Sequence, residues 1–136
     1  MADTTTKTTT TTVKKKKSKR SVPAGQVHIL ATFNNTIISV TDQNGGLLAA
    51  ASAGACGFRG SKKGTAYAAQ IASEKAIATA KQMHGIAKAE VYVNGIGLGR
   101  EAAIRAISSA NVAIECIKDV TGVAHGGCRP KKARRV

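Results

Sequence analysis

The sequence predicts an α/β domain over residues 22–121, with elements in the order β-β-β-α-β-α-β around one mixed five-stranded sheet. A Thr/Lys-rich arm at residues 1–21 precedes it and a basic tail at residues 122–136 follows. Three observations carry this reading. Short apolar runs alternate with turn signals in the first half of the body, the habit of strands. Two later segments repeat small apolar residues at helical spacing and are bounded by glycine. A further apolar run follows each helical segment, and strand–helix–strand units of this kind close as right-handed parallel crossovers.

The first strand is read from Val27 to Phe33 and is interrupted by Asn34 and Asn35. The second resumes at Thr36 and runs to Asp42 through Ile37, Ile38 and Val40. Asn44-Gly45 supplies the positive φ that a tight hairpin requires, so a third strand from Leu47 to Ala53 returns antiparallel. Gly54, Gly57, Gly60 and Gly64 then punctuate a loop carrying Phe58, Arg59, Lys62 and Lys63. Thr65 caps the helix that follows, Tyr67 to His84, and Gly85 stops it.

At 100° per residue the inner stripe of this helix is Ala68, Ala72, Ala76, Thr79 and Met83. Gln70, Glu74 and Lys81 lie opposite, and Ile77 falls on that polar side, as a partner contact or a sign that the stripe is misplaced. A fourth strand, Glu90 to Val93, leads through Gly95-Ile96-Gly97-Leu98-Gly99-Arg100 into a second helix reaching Ala110. Ala103, Ala106, Ile107 and Ala110 share its inner face, and Glu101 and Arg105 form an i,i+4 pair. The fifth strand spans Ala113 to Val120.

Charge is concentrated at the ends. Met1 to Arg20 hold seven Lys/Arg, among them Lys14, Lys15, Lys16, Lys17, Lys19 and Arg20, against one Asp. The last eight residues hold Arg129, Lys131, Lys132, Arg134 and Arg135 and no acid. The ends thus supply eleven units of a formal net charge of +14, which suits a polyanion with separated anionic surfaces, nucleic acid above all. Phe33, Phe58, Tyr67 and Tyr92 are the whole aromatic complement, so recognition is expected through phosphate, sugar and shape rather than stacked bases. Eight of the first twelve residues are Thr, too little apolar surface to offset chain entropy, and the arm is expected to be disordered when free.

The sharpest local feature is the glycine-rich entry to the second helix. Gly97 and Gly99 let a backbone come close to a ligand, and a helix N-terminus favours an anion. Arg100 opposes the helix dipole there, which suggests a phosphate between them. A dinucleotide site is the competing reading, since Asp119 lies twenty residues beyond Gly99. The spacing is GxGxG rather than GxGxxG, however, and too little chain follows for a second mononucleotide half.

Catalytic signatures are missing: six body acids are scattered, without HExxH, GxSxG or a P-loop lysine pattern. The reading is therefore not an enzyme; a small nucleotide-binding enzyme module and a free DNA-compacting protein are the alternatives. His28 and His84 read as structural or surface groups, whereas His125, among glycines and near Arg129, is a candidate RNA contact. Cys56, Cys116 and Cys128 are odd in number and form no CxxC pair, which argues against a disulfide framework or a metal site. No cofactor is expected. The absence of an eighteen-residue apolar run argues against a membrane span, and the cytoplasm is the expected location.

Four stretches then carry a specific resemblance: Phe33-Asn34-Asn35-Thr36-Ile37, Gly57-Phe58-Arg59-Gly60-Ser61, Gly99-Arg100-Glu101-Ala102-Ala103-Ile104-Arg105-Ala106, and Asp119-Val120-Thr121 through Gly127-Cys128-Arg129-Pro130. From Val22 to Val136 the chain closely resembles the bacterial-type eleventh protein of the small ribosomal subunit. The resemblance implies a three-layer α/β/α body of ribonuclease H-like topology without nuclease function. It further implies a place on the platform of the small subunit, bridging several helices of ribosomal RNA beside the cleft where the messenger pairs with the RNA 3′ end. Neighbouring platform proteins and initiation factor three are the implied partners. Transferred residue by residue, RNA contact falls on Asn34, Asn35, Arg59, Lys62, Lys63, Gly97, Gly99, Arg100, His125, Arg129 and the terminal basic run. Gly122, Ala124 and Lys131 stand where the family pattern has proline, and Gly126 where it has asparagine, so the tail is looser than its relatives'.

Overall fold

Alternation is visible strand by strand in the computed structural model, which describes residues 20–136. In β1 (Ala24–Ala31) Val27, Ile29 and Ala31 are buried while His28 and Leu30 face out. In β2 (Thr36–Asp42) Ile38 and Val40 are buried, and in β4 (Lys88–Asn94) Ala89, Val91 and Val93 are. β3 (Leu47–Ser52) and β5 (Ala113–Asp119) complete a five-stranded sheet in the order β3-β2-β1-β4-β5. β2 is antiparallel to β1 and β3, whereas β4 is parallel to β1 and β5 to β4. This is the mixed α/β sheet expected, in the ribonuclease H-like order.

The first strand is displaced from its expected span, running Ala24–Ala31 rather than Val27–Phe33. Its end is set by a tight turn in which the Thr32 hydroxyl donates to the Asn35 carbonyl (3.0 Å) and accepts from the Asn35 N–H (3.1 Å). Its start is set by β4, which begins at Lys88 and pairs with Ala24.

Helix α1 (Ala66–His84) is capped by the Thr65 hydroxyl, which accepts from the Ala68 N–H at 3.3 Å, and it ends at Gly85 with φ 65°. Its buried face differs from the expected stripe. Ala68, Ala69, Ala72, Ser73, Ala76, Ile77 and Ala80 are buried, while Met83 is exposed. The helix touches the sheet on one flank and α2 (Gly99–Ser109) on the other, so the buried arc is broader than one stripe and takes in Ile77. Ser73, within that arc, donates to the Ala103 carbonyl of α2 at 3.0 Å.

The expected third layer is not found among the described residues. One core unites α1, α2 and the inward side chains of β1, β2 and β4, so both helices lie on the same face of the sheet. The strand order explains why. The crossover from β3 to β4 and that from β4 to β5 step across the sheet in one direction, and two right-handed crossovers in one direction place both helices on one side. The opposite face carries His28, Leu30, Ile37, Ser39, Tyr92, Asn94 and Val120 around a shallow hollow of about 200 Å³.

Candidate nucleic-acid interface

The topology sorts the loops by end. β1, β3, β4 and β5 all run the same way, so the β1–β2 turn, the loop from β3 to α1, the turn from β4 to α2 and the start of the C-terminal tail gather at one end of the sheet. Both helix N-termini lie at that end, where their free N–H groups and dipoles favour an anion. Eight of the sequence-predicted site residues, Asn34, Asn35, Arg59, Lys62, Lys63, Gly97, Gly99 and Arg100, are brought together here.

Glycines make these loops touch. A Cβ on Gly64 would lie 2.2 Å from the Phe33 carbonyl oxygen, so the basic loop is seated directly on the β1–β2 turn. A Cβ on Gly97 would lie 2.3 Å from the Thr32 carbonyl oxygen, which seats the β4–α2 turn on the same strand end. The Gly97 N–H donates to the Ala31 carbonyl at 2.9 Å. Gly99 faces Thr36 and Ala69, where a Cβ would come within 2.5 Å and 2.6 Å. The glycines expected to admit a phosphate are thus occupied in packing protein against protein.

The cationic side chains behave differently. Arg59 and Lys62 are exposed and Lys63 is half-buried, on a loop shaped by two 3₁₀ turns, Gly54–Cys56 and Gly60–Gly64. Phe58 packs edge-on against Tyr67 at 5.8 Å between centroids and ties the loop to the first turn of α1. Asn34 is exposed, while Asn35 turns inward and accepts from the Thr36 N–H at 2.9 Å. Exposed Phe33, Ile96 and Leu98, which the sequence reading did not single out, lie on the same turns. His125, Arg129, Lys131, Lys132, Arg134 and Arg135 are all exposed in a tail without helix or strand.

Arg100 is half-buried and folded back onto the chain. Its guanidinium donates to the Gly95 carbonyl, to Asp119 Oδ2 at 2.7 Å and to Thr121 Oγ1 at 3.5 Å. The other Asp119 oxygen, Oδ1, accepts from the Thr121 hydroxyl (2.6 Å) and N–H (3.0 Å). The Gly95 N–H donates to that hydroxyl at 3.2 Å. Hydrogen bonding by the Thr121 hydroxyl, then by Arg100, holds the Asp119 carboxyl well below the usual carboxylate range. The sequence signal for Thr121 was its place two residues after Asp119, the spacing at which an Asp side chain closes a local turn.

At the opposite end of the sheet lies Arg20. Its carbonyl meets His84 Nδ1 at 2.8 Å, its guanidinium approaches Asp42 at 3.7 Å, and the Val22 N–H donates to the His84 carbonyl at 2.9 Å. Lys14, Lys15, Lys16, Lys17 and Lys19, with the expected disorder of the arm, lie outside the described residues. The chain enters at this end and the tail leaves at the other, roughly 25 Å away for the eight residues of β1 at about 3.3 Å each.

No helix among the described residues is long and apolar enough to cross a membrane, and no group of three metal-ligating side chains occurs among them. Comparison with known proteins agrees with the motifs. The family described as Ribosomal protein S11 matches residues 25–135. The chain is 55% identical over 118 residues to the small ribosomal subunit protein uS11 of Caldicellulosiruptor saccharolyticus, covering 87% of this chain and 90% of that one. It is equally 55% identical over 118 residues to protein uS11c of Nephroselmis olivacea, with the same coverage. With the match spanning the sheet, both helices and the tail, the chain belongs to the ribosomal protein S11 family of the small ribosomal subunit.

Proposed function

We propose that this protein is a structural, non-catalytic constituent of the small subunit that binds ribosomal RNA through the loop end of its sheet and through its two basic ends. The observation that carries the proposal is the sorting of charge by end. Exposed Asn34, Arg59 and Lys62 share one end with half-buried Lys63, and the tail that carries the C-terminal basic run starts there, while Arg20, where the described residues begin, lies at the other. A protein cationic at two separated points bridges RNA helices rather than filling one groove. In this reading it sits on the platform, in the cytoplasm, beside the cleft for messenger pairing, with neighbouring platform proteins and initiation factor three within reach. Asn34, Arg59, Lys62 and Lys63 meet the RNA backbone, and Gly97, Gly99 and Asn35 shape the surface that does so.

Salt titration of binding to small-subunit ribosomal RNA tests this. If half of the twelve Lys/Arg at the two ends engage, log Kobs should fall with log salt at a slope of roughly −4 to −5, at about 0.7–0.9 per phosphate contact. A slope near −1 for the full chain would mean the ends are bystanders.

A further inference from the structure

The hydrogen bonds around Asp119 join two stretches of chain about twenty residues apart, Gly95 to Arg100 and Asp119 to Thr121. Arg100 belongs to the first turn of α2, Gly95 to the turn before it, Asp119 to the end of β5 and Thr121 to the start of the tail. Both carboxylate oxygens of Asp119 are engaged, one by Arg100 and one by Thr121. The Thr121 hydroxyl, besides donating to Asp119, accepts from Gly95 and Arg100. Between Asp119 and Thr121, the Val120 N–H donates to the Val93 carbonyl at 2.8 Å, so backbone pairing with β4 continues into this cluster. Beyond it, residues 122–136 are in neither helix nor strand and are exposed. The cluster is therefore the last fixed point before fifteen residues of tail.

We propose that Arg100, Asp119 and Thr121 form a clasp that sets where and in which direction the basic tail leaves the body, and that Arg100 is a positioning residue rather than a phosphate ligand. A cation in the first turn of a helix opposes the dipole, and the anion that offsets it here is the chain's own Asp119. A paired, forked guanidinium is already committed to three acceptors, which lysine cannot match. The clasp aims the tail along the same end as Arg59, Lys62 and Lys63, so one RNA surface meets both. This rests on the RNA-binding reading, but the clasp is a property of the free protein and is measurable without RNA.

The discriminating variant is Asp119→Asn, which raises the net charge by one unit and removes no cation. General electrostatics, or an Arg100 freed to take a phosphate, would then tighten RNA binding. The clasp demands the reverse. In the full chain, Asp119→Asn and Thr121→Val should each speed amide hydrogen exchange at position 120 and at position 121 at least severalfold, leave exchange in α1 unchanged, and weaken binding to small-subunit RNA about three- to tenfold, on the scale of one ordinary net hydrogen bond. Thr121→Ser keeps the hydroxyl and should behave as the parent in both measurements. Faster exchange in α1 as well would show a general loss of fold and overturn the clasp, as would parental exchange in both variants. If Asp119→Asn binds RNA more tightly than the parent, Arg100 is a phosphate ligand and the positioning role is wrong. If the parent itself fails to bind the RNA, the RNA reading falls while exchange at Val120 still judges the clasp.

Discussion

Single positions in this chain divide by what stands next to them. Gly95 has φ +99° and a Cβ there would lie 2.1 Å from the Ala31 carbonyl oxygen, whereas Gly57 has φ +93° with open space around it. Both carry the strain of a left-handed backbone on substitution, but Gly95 alone adds a clash with immovable backbone. Gly95→Ala is therefore expected to cost at least ~3 kcal/mol and Gly57→Ala about 1 kcal/mol by urea unfolding, and equal costs would remove close packing as the reason for the glycine. Asp119 gives a second test, by pH. Its folded pKa is depressed below an unfolded value near 3.9, so its contribution to stability is complete above that value and is lost as pH falls below it. The stability difference between the parent and Asp119→Asn should be constant from pH 7 to about 5 and narrow progressively as pH falls from about 4 to 2, without vanishing there because the folded pKa lies lower still. A difference as large at pH 2 as at pH 7 would mean that the ionised carboxylate is not what matters.

At the scale of elements, α1 shows how small residues set a layer spacing. Ala68, Ala69, Ala72, Ala76 and Ala80 are buried with 0–1% exposure, which lets the helix lie close to both the sheet and α2. Ala76→Leu inserts volume that this interface lacks and should destabilise by about 1–3 kcal/mol, while exposed Ala78→Leu should change stability by less than about 0.5 kcal/mol. Thermal unfolding of the pair checks it, and similar values would mean the helix rides loosely. Much of this level was legible beforehand. β2 was read at its observed bounds because its ends are marked by Asn35 and by the Asn44-Gly45 turn, and α1 to within one residue because Thr65 caps its start and Gly85 stops it. Ile77 was misplaced because a single helical stripe assumes one neighbour, and α1 has two. The third layer was implied by the resemblance alone, and the local pattern could not check it because it does not reveal the direction in which crossovers step. Lys62 and Lys63 could be picked from a charged, glycine-rich loop, but Asp119 and Thr121, which Arg100 engages, lie some twenty residues from it and only the folded sheet brings them near.

Across the whole molecule, one end gathers exposed cations and two helix N-termini, and the body elsewhere is nearly balanced in charge. Ion pairs account for part of that balance: Lys88 with Glu115 at 3.5 Å, Lys118 with Glu90 at 3.8 Å and Arg105 with Glu101 at 3.4 Å. Exposed pairs of this kind add little stability, but they offset cations on β4, β5 and α2. RNA affinity should accordingly depend on where a charge sits and not only on the total. The most direct measurement compares two double variants with the same charge change, Lys62→Glu/Lys63→Glu at the loop end and Lys75→Glu/Arg105→Glu on the helices, for uptake into small subunits by sedimentation. Each changes net charge by four units, so long-range attraction falls comparably in both. The loop pair should lose uptake by about tenfold more than the helix pair, as expected when local phosphate contacts are reversed, with unfolding temperatures close to the parent in both. Equal loss in the two, or greater loss in the helix pair, would contradict the claim that this end of the sheet meets the RNA.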